Sequence, residues 1–245
     1  MIEVKNIYKK FNHKKVLDGV SFDVPDGSTF TIIGGSGQGK SVILKHIFGL
    51  LKPDKGDVFV DGKNLSELNK KELFEVQQQF GIVFQGAALF DSLTVRENVG
   101  FGLKWIKNLP AAEIDKLVKE KLKMVDLPIE ICDQKPVELS GGMKKRVGLA
   151  RAIAYNPKYI LYDEPTTGLD PLTSDVINNM ILRLQKELKL TSIVVTHDMK
   201  TAYKVSDKIV MIYKGKIIES GSPEEVQNTK NETVRRFIEG NAEES

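Results

Sequence analysis

Gly34-Gly35-Ser36-Gly37-Gln38-Gly39-Lys40-Ser41 is the stretch on which the reading of this 245-residue chain turns. Its spacing fits G-x-x-x-x-G-K-[ST]. It stands between the apolar run Phe30-Thr31-Ile32-Ile33 and a helix-patterned segment with Ile43, Leu44, Ile47 and Phe48 on one face and Gly49 near its end. Strand, glycine loop and helix in that order suit the phosphates of a nucleotide. Glycines let the backbone turn tightly and aim successive N–H groups inward, and the helix N-terminus adds partial positive charge toward the anion. Lys40 would then reach the β- and γ-phosphates, and Ser41 would supply an oxygen ligand to Mg2+.

Working outward, the first third of the chain reads as short strands and turns. Val20, Phe22 and Val24 alternate with Ser21 and Asp23, Pro25-Asp26-Gly27 makes a turn, and Val58-Phe59-Val60 ends at Asp61-Gly62. Over residues 85–155 the strand signal disappears. Ile114, Leu117, Val118, Leu122 and Val125 keep helical spacing, as do Val147, Ala150, Ile153 and Ala154. This reads as a helical subdomain inserted into an α/β core. The core resumes with the strand Tyr159-Ile160-Leu161-Tyr162, a helix marked by Val176, Ile177, Met180, Ile181, Leu184 and Leu188, and the strand Ser192-Ile193-Val194-Val195-Thr196. Such alternation favours a parallel sheet covered on both faces, with ligands at the carboxyl ends of its strands. Ser222-Pro223-Glu224-Glu225 has the form of a capping box with Pro at the first helical position; residues 234–238 are amphipathic, and Glu243-Glu244-Ser245 is an acidic polar end. The expected organisation is one domain over 1–245: core in 1–85 and 156–222, helical subdomain in 86–155, helical tail in 223–245.

Composition narrows the function classes. Hydrophobic residues make up 41% and charged residues 28%, and no stretch approaches the roughly 18 unbroken apolar residues of a membrane-spanning helix. Met1-Ile2-Glu3-Val4-Lys5 alternates like a first strand and lacks the apolar core of a secretory signal, so a cytosolic location is expected. Cys132 is the single cysteine and has no partner for an internal disulfide; an ordinary small side chain is the expected role. A formal net charge of +3 is too slight to argue for nucleic acid as a partner.

A second string, Leu139-Ser140-Gly141-Gly142-Met143, opens the last helix of the helical stretch and is followed by Tyr159-Ile160-Leu161-Tyr162-Asp163-Glu164. Together with the glycine loop, these residues make the chain resemble the ATP-binding subunits of ABC transporters over almost its whole length. The resemblance implies a P-loop NTPase fold with a RecA-like parallel-sheet core, an N-terminal antiparallel β-subdomain and an inserted α-helical subdomain, with ATP and Mg2+ as cofactors. Gly34 to Ser41 and the adjoining Val42, where a second hydroxyl residue is common in the family, would hold the cofactor. Asp163, closing an apolar strand expected beside the glycine-loop strand, is placed to hold Mg2+ directly or through water. Glu164 would orient the attacking water and accept its proton. A lone Asp-Glu pair is as a rule solvated surface, but the apolar run before it and Pro165 after it favour the functional reading.

The resemblance carries further roles. His197, following Thr196, would contact the γ-phosphate; His13 and His46 match no such position, the first expected in an exposed turn and the second on the helix after the glycine loop. Gln85, ending the expected strand Ile82-Val83-Phe84, resembles the Q-loop glutamine, which touches Mg2+ and the water and begins the segment facing the membrane partner. Phe11 lines up with the aromatic that stacks on adenine, with core packing as the competing reading. Two copies would pack head to tail, each presenting Ser140, Gly141 and Gly142 to the γ-phosphate on the other's loop, with Asp170 of Gly168-Leu169-Asp170 in the crossing D-loop.

Within the family, Met143 stands where Gln is most frequent. Residues 84–99 (Phe84-Gln85-Gly86-Ala87-Ala88-Leu89-Phe90 through Val99) and the ending Thr233-Val234-Arg235-Arg236-Phe237-Ile238-Glu239-Gly240 look like the MlaF-type ATPases that serve MCE-protein lipid transporters. That likeness implies an integral-membrane permease, an MCE-domain lipid-binding protein and a place on the cytoplasmic face of the inner membrane. An amino-acid, metal or drug transporter is the alternative, and a DNA-repair or translation ATPase a remoter one, since the chain has neither a long coiled coil nor a second cassette. Lys144, Lys145 and Arg146 offer a lipid-headgroup patch or, as the commoner case, a solvated helix face.

Overall fold

A computed structural model describes residues 1–240; the acidic end Glu243-Glu244-Ser245 lies outside the described residues. Contacts divide the chain into two compact units, one formed by Met1–Gln78 with the chain from Thr191 onward, the other by Gln79–Leu190.

The first unit begins with β1 (Ile2–Phe11), β2 (Lys14–Val24), β3 (Thr29–Ile33), α1 (Lys40–Ile47), β4 (Lys55–Val60), β5 (Lys63–Asn64) and α2 (Lys70–Gln77). β1 and β2 form a hairpin, and β1 pairs antiparallel with β4, which pairs with β5, giving the order β2-β1-β4-β5. Period-2 patterning explains this sheet: Ile2, Val4, Val20, Phe22, Val24, Val58 and Val60 are buried while their neighbours in sequence face outward. Phe22 stacks on Phe30 of β3 at 4.8 Å between ring centroids. Asn69 begins α2 with a capping box closed by Glu72.

The second unit contains β6 (Phe80–Val83), α3 (Val95–Trp105), α4 (Ala111–Met124), α5 (Gly141–Ile153), β7 (Tyr159–Asp163) and α6 (Pro171–Leu188), with short 3-10 turns before α5. β6 and β7 run parallel, from Phe80 opposite Tyr159 to Val83 opposite Tyr162. The strand ends at Val83, one residue before the expected Phe84: the ladder stops there, and the Phe84 ring is 43% exposed. Residues 86–155 contain helices and turns with no strand.

The chain returns to the first unit with β8 (Thr191–Thr196), α7 (Met199–Val205), β9 (Lys208–Tyr213), β10 (Lys216–Gly221), α8 (Pro223–Gln227) and α9 (Glu232–Ile238). β3 runs parallel to β8 on one edge and to β9 on the other, and β10 pairs antiparallel with β9. Both edges of β3 are thus taken, so the strand ending at Asp163 is not the hydrogen-bonded neighbour of the glycine-loop strand; β8, the strand before His197, is. Every residue of β3 and β8 is buried, as strands covered on both faces require. Burying each Ile or Val here contributes about 1.5–3 kcal/mol. Ser222 and Glu225 close the expected capping box on α8, and Val226 and Val234 pack with Ile33, Ala202, Ile209 and Met211 in one core cluster. Among the described residues no helix is long and apolar enough to cross a membrane.

Candidate nucleotide-binding and catalytic residues

In the first unit the parallel register brings Ile33 opposite Thr196, so the glycine loop and His197 leave the same carboxyl edge of adjacent strands. The loop's shape depends on missing side chains. Gly34 has φ +150°, and a Cβ there would lie 2.4 Å from the Ile212 carbonyl oxygen, so only glycine fits. Gly39, at φ +99°, is the N-cap of α1 and offers no side-chain cap, which suits a helix start that receives an anion. Lys40 is 7% exposed and its Nζ donates to the carbonyls of Gly34 at 2.7 Å and Gly35 at 3.0 Å. Gln38 is used structurally: its Oε1 accepts from the Lys214 amide at 2.6 Å, tying the loop to the β9–β10 turn. Ser36, Gly37, Ser41 and His197 are exposed, Gly35 and Val42 half-buried. Phe11, at the end of β1, is 44% exposed with Lys9 Nζ 5.7 Å from its ring, which removes core packing as its role.

The second unit carries the carboxylates. Asp163 is the last residue of β7 and half-buried, and Glu164 follows at φ +52°, a left-handed conformation uncommon for a side-chain-bearing residue. Glu164 is 8% exposed, and the Thr167 hydroxyl donates to its Oε2 at 3.1 Å. Gln85 lies exposed in the turn after β6. Ser140 is the N-cap of α5 and its Oγ accepts from the Met143 amide at 3.3 Å. Asp170 caps α6, accepting from the Thr173 amide at 3.0 Å; hydrogen bonds from Thr173 hold its carboxyl below the usual carboxylate range. A Cβ on Gly142 would meet Thr173 Cγ2 at 2.8 Å, so the starts of α5 and α6 approach closely at that glycine.

The ABC transporter family pattern matches residues 17–167, from β2 through Thr167. The chain belongs to the ABC transporter family. It is 39% identical over 98% of its length to the Mycobacterium leprae "Probable ribonucleotide transport ATP-binding protein mkl", covering 69% of that protein. It is 42% identical to the chloroplastic protein TRIGALACTOSYLDIACYLGLYCEROL 3 of Arabidopsis thaliana, covering 98% of this chain and 74% of the relative. To the methionine import ATP-binding protein MetN 1 of Bacillus cereus it is 38% identical, covering 97% and 70%. Among solved structures, cbiO1 from Clostridium perfringens, part of the ABC transporter complex cbiONQ, superposes with a TM-score of 0.85 at 32% identity, covering 97% of this chain and 94% of that one. The dimeric, post-hydrolysis ATP-binding cassette MJ0796 bound to ADP and Pi has a TM-score of 0.83 at 34% identity, covering 91% and 99%.

This ABC ATPase uses ATP and Mg2+, and its residues fit both. The path of the loop requires glycine at position 34, where a Cβ would strike the Ile212 carbonyl, and the Ser41 hydroxyl of the first unit and the Asp163 carboxylate of the second are each an oxygen donor of the kind a hard cation takes. Among the described residues no cluster of three His, Cys, Asp or Glu side chains could hold a metal ion.

Two features of the cassette escape the sequence reading. Thr167 is the hydroxyl that orients Glu164; its signal was proximity, three residues on in Glu164-Pro165-Thr166-Thr167. Lys145, expected on a solvated face, is 7% exposed: its ammonium donates to the Gln85 carbonyl and, at 3.4 Å, to the Glu164 carbonyl. Burial pushes its pKa below the usual lysine range, against the opposing charge of Glu164. Arg146 donates to the Asp126 carbonyl at 2.8 Å, so this basic run is largely engaged by the protein itself.

Proposed function

We propose that this chain is the ATP-hydrolysing subunit of a transporter that moves a phospholipid or a related lipid, working with an integral-membrane permease and an MCE-domain lipid-binding protein at the cytoplasmic face of the membrane. The observation that carries the lipid assignment is the likeness of residues 84–99 and 233–240 to MlaF-type ATPases. The 42% identical relative that bears a glycolipid's name supports it. The 38% identity to a methionine import ATPase favours a second reading, an amino-acid importer. Purifying the intact membrane complex separates them: co-recovery of an MCE-domain protein with bound lipid is expected, and recovery with a solute-binding protein and no lipid overturns the lipid reading.

For the chemistry, the glycine loop from Gly34 to Ser41 with Val42 holds the phosphates. Lys40 transfers its ammonium from the Gly34 and Gly35 carbonyls to phosphate oxygens, and Phe11 offers its exposed ring to the adenine. Ser41, Asp163 and Gln85 are the oxygen donors that would hold Mg2+, and the ion would supply charge to offset that of the phosphates. Glu164 accepts the proton of the attacking water, with Thr167 fixing its carboxylate; His197 contacts the γ-phosphate. Ser140, Gly141 and Gly142 act on the nucleotide of a second copy packed head to tail, with Asp170 in the crossing segment.

Glu164→Gln tests the base assignment. ATP binding is expected to stay within about twofold while turnover falls by about 10²–10⁴-fold, because the amide cannot take the proton. Near-normal turnover removes Glu164 from the role.

A further inference from the structure

α5 carries a stripe of residues three apart, Lys145, Gly148 and Arg151, turned toward the main chain that follows β6. Lys145 reaches the Gln85 carbonyl and lies 3.4 Å from the Glu164 carbonyl. Arg151 donates to the carbonyls of Ala87 and Ala88, both at 2.7 Å. A Cβ at Gly148 would come within 3.3 Å of Ala87, so the helix and the turn are in close approach. Ala87 and Ala88 hold φ +60° and +46°, and Glu164 holds φ +52°. Non-glycine residues keep such conformations only where surrounding structure over-determines them. Here two cations on one helix, Lys145 buried and Arg151 half-buried, hold those carbonyl oxygens from one side.

We propose that Lys145 is a positioning residue for ATP hydrolysis: from the helix that begins at Ser140 it fastens the main chain of Gln85 and of Glu164 to a single ammonium, holding at a set spacing the two residues that handle the water. The proposal rests on the assignment of Glu164 as base. Lys145 touches neither water nor nucleotide; it acts through the backbone of residues that do. One rotatable, charged three-donor group serves two carbonyls on different segments, which a thioether cannot do and a shorter, neutral amide, its two donors fixed in one plane, does only in part. Because the misplacement of a catalytic group by about 1 Å can cost about 10²-fold in rate, the effect belongs in kcat.

The test compares Lys145→Met, Lys145→Gln and Lys145→Arg in the full chain, with steady-state ATP hydrolysis, nucleotide binding and thermal unfolding measured on each. K145M is expected to lower kcat by about 10–100-fold with KM for ATP within about twofold of the unsubstituted chain, and K145R to recover kcat to within about threefold. A kcat unchanged in K145M, a rise in KM at constant kcat, or a K145R as slow as K145M overturns the role. Should K145M not fold, K145Q against K145R carries the same comparison: a slow K145Q with a fast K145R supports the role, and equal rates reject it. Glu164→Gln run alongside keeps the two readings apart, since normal turnover there rejects the base, while normal turnover in the Lys145 variants rejects only the fastening.

Discussion

Glu164 concentrates several constraints on one residue: a buried carboxylate, a left-handed backbone, a hydroxyl from Thr167 on its side chain and an ammonium on its carbonyl. Only the identity and place of the carboxylate were legible in sequence, because strand, Asp-Glu and Pro stand in order along the chain. The conformation that aims it was not, since φ is imposed by neighbours distant in sequence. His46 shows the same division. Its position on α1 was legible, but its 2% exposure and its Nδ1 2.7 Å from the Leu51 carbonyl follow from packing. Burial outweighs that hydrogen bond and depresses the imidazole's pKa below 6.5, so the unfolded chain binds a proton more readily than the folded one. Its contribution is therefore intact above the unfolded value and is lost as pH falls through 6.5 toward the lower folded-state value, at no more than about 1.4 kcal/mol per pH unit. Denaturant unfolding across that range should show a downward slope that His46→Gln flattens; an unchanged slope assigns the effect elsewhere.

At the scale of elements, the turn after β6 and the helix α3 are held by one side chain. Asn98 is fully buried; its Oδ1 accepts from the Phe90 amide at 2.8 Å, and its Nδ2 donates to the carbonyls of Phe90, Leu93 and Thr94 at 3.0–3.2 Å. Asn98→Ala leaves those backbone groups without their partner, and unfolding stability is expected to fall by about 1–3 kcal/mol in a denaturant titration; a change under about 0.5 kcal/mol contradicts the reading. Helices over residues 85–155 were evident from 3.6-residue spacing. The boundary at Val83 was not, because Phe84 is as apolar as the strand before it and only the ladder decides where pairing stops. The β9–β10 hairpin was also missed: β10 is half-buried along most of its length and exposed at its first and fifth residues, so its pattern is weak without the partner strand.

For the whole molecule, the proposed head-to-tail pairing of two copies makes a prediction that the single chain does not. With Glu164→Gln and ATP, the protein should elute as a dimer in size-exclusion chromatography, and Ser140→Arg, introducing bulk and charge at the start of α5, should return it to monomer; a dimer that persists in the double variant rejects Ser140 as a contact. Sequence alone determined the family, the glycine loop, the Asp-Glu pair and the alternation of strands and helices, since each is written in short contiguous strings whose chemistry or period is local. Tertiary structure alone decided that β8 and β9, not the strand of Asp163, flank β3, and that the middle cation of Lys144-Lys145-Arg146 turns inward onto two carbonyls. Strand order and the burial of a charge depend on which distant segments supply hydrogen bonds and exclude water, and that is settled only when the chain has folded.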